Sequence, residues 1–166
     1  MDDVAAFMEI CEAYTVPAAL ERSRSGSGGH VWIFFSESIK SGLARKLGTF
    51  LVTETMERRP EVGLDSYDRF FPSQDTLPKG GLGNLIALPL QKKPREKGNT
   101  LFIDKNFNHY DDQWVFLAFI ERMDFEKVKA LSRELPFTAY HANILETTIQ
   151  FLLKQQCQGL NSIHAL

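Results

Sequence analysis

Residues 21–35 read ERSRSGSGGHVWIFF. A strand end leads into a Ser/Gly/Arg loop, then His30, then the wholly apolar VWIFF. Ser25, Gly26, Ser27, Gly28 and Gly29 occupy five consecutive positions. Glycine permits sharp turns and close approach to a ligand, and successive open N–H groups form an anion-binding concavity. Arg22 and Arg24 add positive charge at one rim, and His30 a polar group at the other. The pattern suits recognition of a phosphate or nucleotide, although a plain hairpin loop can share the composition. VWIFF, rich in β-branched and aromatic side chains, predicts a central strand buried on both faces.

Around this stretch the chain reads as α/β. Val4, Phe7, Met8, Ile10 and Cys11 predict a helix over 3–14, and Pro17 a short strand over 18–22. Leu43, Leu47, Phe50, Leu51 and Met56 predict a long helix over 36–59, capped by Ser36 or Ser38. A strand starting near Glu61 would complete a strand–helix–strand pattern. The stretch 60–83 is irregular but rich in Tyr67, Phe70, Phe71 and Leu77, which favours an ordered, functional loop. NLIALPL (84–90) reads as a buried strand, QKKPREKG as a basic loop, and 101–103 as a short strand. Asp111 or Asp112 can cap a helix through Arg122 whose bulk is Trp114, Leu117 and Phe119. Asp124 can cap another with Phe125, Val128 and Leu131. A last helix is expected over 142–156.

The chain has 166 residues, 43% hydrophobic, with a formal charge of −2. That length suits one domain with a real core. The charge excludes a wholly basic nucleic-acid coat but not a local basic cleft. Cys11 and Cys157 lie far apart without metal-ligand spacing, so free thiols in a reducing compartment are expected. No secretory n-region follows Met1, and the longest apolar run, VFLAFI, is far short of a membrane span. These features predict a cytoplasmic protein with no membrane partner.

Phosphoryl chemistry needs a metal, a positioned triphosphate and positive charge. Asp65, after Val62 and Leu64, is a candidate magnesium ligand at a strand end. His30, Arg69, Lys79, Lys92, Lys93 and Arg95 could supply the remaining parts. Loop capping is the plainer account of Asp65 and Asp68, and a solvated turn that of Lys92–Lys97. His109, His141 and His164 have no partners at zinc spacing. The segment GSGGH lacks the Gly-Lys-Ser/Thr of a Walker loop. Tyr14, Trp32, Tyr67, Phe70, Phe71 and Tyr110 could stack bases, or pack in the core.

SRSGSGGHVWIFF, LDSYDRFFPSQDTLPKGGLGNLIALPLQKKPRE and YDDQWVFLAFI, in that order, resemble the archaeo-eukaryotic primase superfamily. The likeness is to the primase-polymerase domain of TOTE conflict systems, from about Asp3 to Leu135. The resemblance implies an RRM-like α+β module, a mixed sheet flanked by helices. It also implies a nucleotidyltransferase that binds nucleoside triphosphates and a DNA or RNA template with Mg2+ or Mn2+. His30 with Ser25–Gly29 matches the family's nucleotide-contacting motif, and Asp65, with Asp68 as fallback, its strand-borne metal ligand. Lys79 and Asn84 match its nucleotide-facing loop. Arg22, Arg24, Arg69, Lys92, Lys93 and Arg95 are then the candidate nucleic-acid contacts. Family members continue into a helicase-like domain.

The family's metal-holding Asp-x-Asp strand is absent. Asp2 and Asp3 are adjacent, so on a strand they would face opposite sides. One Asp cannot build a two-metal site. The expectation is a domain over 1–135, incomplete at its N-terminus, with a helical extension over 136–166 and weak or no polymerisation. Two other readings stand beside it: a non-catalytic single-stranded nucleic-acid-binding module, and an interaction fragment with an open sheet edge.

Overall fold

The computed structural model of the chain describes residues 2–60, 70–76, 79–80 and 86–133. The chain divides into two compact units, Met1–Glu134 and Leu135–Leu166, and the second lies outside the described residues, as does the helix expected over 142–156. The strand expected near Glu61 also lies outside them.

The described elements are α1 (Asp2–Ala13), β1 (Ala19–Arg22), β2 (Gly29–Trp32), α2 (Ser41–Arg58), α3 (Lys92–Arg95), β3 (Phe102–Ile103), α4 (Gln113–Ala118) and α5 (Phe125–Leu131). The fold is mixed α+β. Its three-stranded antiparallel sheet runs β2-β1-β3, with Leu20 of the middle strand opposite both Val31 and Ile103. Helix α2 packs between α1 and α5, and α1 also covers β2. Phe7, Ile10, Leu20, Leu47, Phe50, Leu51, Phe102, Ile103, Val128 and Leu131 are all buried together with their neighbours.

One interface and one helix end show how α1 is held. The Tyr14 hydroxyl donates to Glu54 Oε2 at 2.5 Å, and its ring meets Phe50 edge-on. Accepting that hydrogen bond, the Glu54 carboxylate favours the phenol form, which raises the Tyr14 pKa. Helix α1 is closed just past Ala13 by Thr15 (φ 54°), with Thr15 N–H donating to Glu12 O and Val16 N–H to Cys11 O. This is the paired 5→2 and 6→1 closure that turns a helix back on itself, and Pro17 follows as a natural stop.

Several elements depart from expectation. VWIFF is not a central strand buried on both faces. Strand β2 is at the edge of the sheet order and stops at Trp32, and residues 31–35 are all half-buried. Beyond Trp32 the backbone leaves β1 and bonds to Met123 instead, Met123 N–H donating to Phe34 O and Ser36 N–H to Met123 O. That pairing holds residues 34–36 extended, so α2 starts at Ser41, after Lys40, with neither Ser36 nor Ser38 as its cap.

The described part of NLIALPL forms no strand. Ile86 and Leu88 are exposed, at 43% and 67%, and Leu90 adopts φ 60°, which breaks extended geometry. The basic loop contains the short helix α3. Asp112 caps α4 and Asp124 caps α5 as expected, but α4 ends at Ala118, not at Arg122. Trp114, Val115 and Phe119 of this region are exposed rather than core. What α4 buries is Gln113. Its amide accepts from Phe102 N–H at 2.7 Å and donates to Phe102 O at 2.9 Å, so a side chain occupies the outer edge of β3.

Segment 70–76 docks on α2. Arg45 Nε sits 2.9 Å from Asp75 Oδ1, and Arg45 also bonds to Ser73 O. Gly48, buried mid-helix, makes the notch for Phe70: a Cβ there would overlap the Phe70 ring. A glycine inside a helix ordinarily costs about 1 kcal/mol. Gly48→Ala should nonetheless lower stability, by about 1 kcal/mol net, because overpacking costs typically 1–3 kcal/mol. Chemical denaturation of Gly48→Ala, Phe70→Ala and the double variant should give non-additive losses, since both singles undo one contact.

Cys11 is 1% exposed, and burial pushes its thiol up to about 12 from an ordinary 9.0. The unfolded chain therefore ionises first, so Cys11 contributes stability below about pH 9 that is lost as pH rises toward 12. In a Cys157→Ser variant, alkylation of Cys11 at pH 8.5 should be slow in the native state and fast in denaturant. Fast native labelling would refute the burial.

Candidate functional site

The hairpin between β1 and β2 is closed by Ser23 N–H donating to Gly28 O at 2.8 Å. Inside it Gly26 N–H donates to Ser23 O at 3.0 Å, with Gly26 at φ 84°. A Cβ on Gly26 would come within 2.8 Å of Asn99 Oδ1, so both the turn and its packing require glycine there.

The expected concavity of open N–H groups is not what the loop presents. Gly28 N–H donates to Ser23 Oγ at 3.1 Å and Ser27 N–H reaches Ser25 Oγ at 3.4 Å. The hydroxyls of Ser23, Ser25 and Ser27 form a chain with spacings of 3.0 and 2.9 Å. Serine oxygens compete well for nearby backbone donors, and here they take those of Ser27 and Gly28. The loop's outward chemistry is therefore hydroxyl: Ser25 and Ser27 are exposed, beside exposed Arg24.

His30 stands directly across from Glu21. Its Nδ1 lies 3.3 Å from Glu21 Oε2, and Trp32 Nε1–H donates to the same oxygen at 2.6 Å. Glu21 is 1% exposed, whereas the His30 side chain is 49% exposed. The imidazole thus spans from a buried carboxylate to solvent. Glu21 was not among the candidates. Counting strand partners inward from the loop, 22 with 29 and 21 with 30, would have found it, and Trp32 shares that face two residues on.

The structure also joins the basic turn to this loop. Asn99 Nδ2 donates to Arg24 O at 3.0 Å, Thr100 N–H to Arg22 O, and Arg22 N–H to Leu101 O, both at 2.9 Å. Lys92, Lys93 and Arg95 of α3 are exposed, so the cationic turn and the Ser/Gly loop share one end of the sheet. Arg22 differs from the expected rim cation: it is half-buried, with Nη2 on Phe107 O at 3.2 Å.

Of the aromatic candidates, Tyr14 and Phe70 are held by helix contacts, and Trp32 lies near-parallel to Phe34 at 6.3 Å. Tyr110 stacks on Phe116 at 4.1 Å, and Phe71 is 37% exposed. Lys79 is exposed. Asp65, Asp68, Tyr67, Arg69 and Asn84 lie outside the described residues. Among the described residues no three His, Cys, Asp or Glu side chains gather into a metal-holding group. Asp2 and Asp3 sit in the first turn of α1, where carboxylates favour a helix N-terminus.

The described residues thus combine an exposed histidine braced from below, a hydroxyl-lined hairpin loop and a cationic turn. Such a surface can bind a polyanion; it does not itself assemble a metal centre. Comparison with curated proteins gives no match. Residues 1–131 match the family model of the TOTE conflict system, Archaeo-Eukaryotic Primase domain. With that match spanning the hairpin loop, the long helix and the basic turn, the chain belongs to the archaeo-eukaryotic primase domains of TOTE conflict systems.

Proposed function

We propose that this primase-like, nucleotidyltransferase-type domain binds a nucleoside triphosphate through Ser25, Ser27 and His30, within the loop Ser25–His30. The observation that supports this most is the joining of that loop to the cationic turn by Asn99 and Thr100. A triphosphate needs hydrogen-bond donors and positive charge at one place, and the sheet end offers both. Arg24 and the exposed Lys92, Lys93 and Arg95 carry the adjacent strand of a DNA or RNA template. Arg69 belongs with these template contacts, and Lys79 and Asn84 join the triphosphate site through the nucleotide-facing loop they match in the family.

Primase-like domains commonly use divalent metals. In this reading Asp65 would contribute to holding Mg2+ or Mn2+, which would neutralise phosphate charge when bound. The sequence holds no Asp-x-Asp, so polymerisation by these 166 residues alone is proposed to be weak or absent. A helicase-like domain or chain is the proposed partner, and the cytoplasm the proposed setting. No helix among the described residues is long and apolar enough to cross a membrane.

Calorimetry with ATP, with and without Mn2+, tests the site. His30→Ala should weaken binding at least tenfold while leaving the melting temperature within a few degrees. Equal affinity in both proteins would sink the assignment. Full template-dependent extension by this chain would refute the proposed inactivity.

The exposure of the α3 cations also favours binding of single-stranded nucleic acid without metal. Each phosphate contact on a single strand contributes about 0.7 to the slope of log K against log salt. Replacing Lys92, Lys93 and Arg95 by Ala should flatten that slope by about 2. An unchanged slope would remove this turn from the interface.

A further inference from the structure

Helix α4 turns its largest apolar side chains outward. Trp114 is 64% exposed, Val115 53% and Phe119 85%. Single exposed apolar residues are ordinary, but a contiguous patch with a polar rim marks an interaction surface. Val115 and Phe119 stand at i and i+4, so they share one face of the helix. That face lines a groove of about 320 Å³, whose side chains are apolar except for Glu121. Ala19 of β1 and Phe34, just past β2, line it as well. The groove lies at the opposite end of β1 from the Ser/Gly loop, which follows Arg22.

The backbone beside the groove is already paired. Gln113 takes the Phe102 N–H and C=O at the edge of β3, and Phe34 O accepts from Met123 N–H. An added strand finds no ladder at these positions, so an occupant must satisfy its own backbone, as a helix does. The rim sets the charge. From Asp111 to Arg122 the chain carries Asp111, Asp112 and Glu121 against one cation, Arg122, and all four are exposed. A second copy docking patch to patch would set these acids against themselves. The phosphates of a nucleic-acid strand would meet the same repulsion. A helix with basic residues beside its apolar face meets neither.

We propose that the groove between α4 and the sheet docks an amphipathic helix of a partner protein, with an apolar side chain seated against Phe34 and Phe119 and Lys or Arg beside Asp111 and Glu121. The proposal is independent of the nucleotide reading of the Ser25–His30 loop.

A displayed library of helical peptides, selected on the full chain and counter-selected on Phe119→Ala, tests it. Phe119 is so exposed that its loss should move the melting temperature little. The expected binders carry apolar residues at i, i+3, i+4 and i+7 with Lys or Arg at the flanks. By fluorescence anisotropy, a labelled synthetic copy of one binder should bind Phe119→Ala about tenfold more weakly. Asp111→Lys/Glu121→Lys should weaken it by a similar factor, and keeps the test decisive where Phe119→Ala fails to fold.

Recovery of no peptide that distinguishes the two proteins overturns the proposal. So does recovery of acidic or neutral flanks, or undiminished binding by the charge-reversed variant. A homodimer seen by sedimentation that Phe119→Ala dissolves would make the occupant a second copy. A single-stranded oligonucleotide whose binding Phe119→Ala weakens would make it nucleic acid. Either result overturns the partner named here.

Discussion

The buried Glu21 carboxylate constrains the rest of the sheet. It sits on the middle strand, where hydrogen-bonded partners lie on both sides and water is excluded. Its donors must come from the adjacent strand, and only one register supplies them: with Glu21 opposite His30, both the imidazole and the Trp32 indole reach it. A slip of one residue would turn every side chain of β2 to the other face. It would leave a charged group buried without donors, a loss of several kcal/mol. The same slip would turn Val31 away from the face it shares with Leu20. Polar and apolar requirements thus agree on one pairing, and the loop geometry follows from it.

Much of this was legible in the chain. The two hairpin strands, the long helix, the short strand at 102–103 and the Asp112 and Asp124 caps follow from local rules: side-chain periodicity, β-branched runs and oxygen-bearing side chains before helices. What local rules missed is tertiary. VWIFF has the composition of a central strand, yet its second half bonds to Met123, far away in sequence, and that delays α2 by five residues. Trp114 and Phe119 have the bulk of core residues, but the inward position of α4 goes to Gln113. An apolar count cannot anticipate an amide whose task is to pair with backbone.

The site shows the same division. The Ser/Gly loop, His30 and the basic turn stand out in composition, and hydrogen bonds through Asn99 and Thr100 bring them together. Glu21 was hidden because an isolated glutamate at a strand end looks like a solvated residue, and its burial depends on the strands either side. The open N–H concavity failed for a chemical reason visible only in three dimensions. The serines that made the loop look phosphate-binding fold onto its own amides, and leave hydroxyls to face outward.

Gln113 has one more effect. Helix α4 has six residues, too few to persist alone in water. It is tied at its first residue to both polar groups of Phe102 and to Tyr110 O, while Phe116 packs against the Tyr110 and Phe102 rings. Strand edge and helix therefore share their hydrogen bonds, and neither can open without exposing the other's unpaired amides. They form a single cooperative unit in the sense of native-state hydrogen exchange. The exposed indole and phenyl groups of Trp114 and Phe119 are carried on that unit, so their order is only as durable as one glutamine amide.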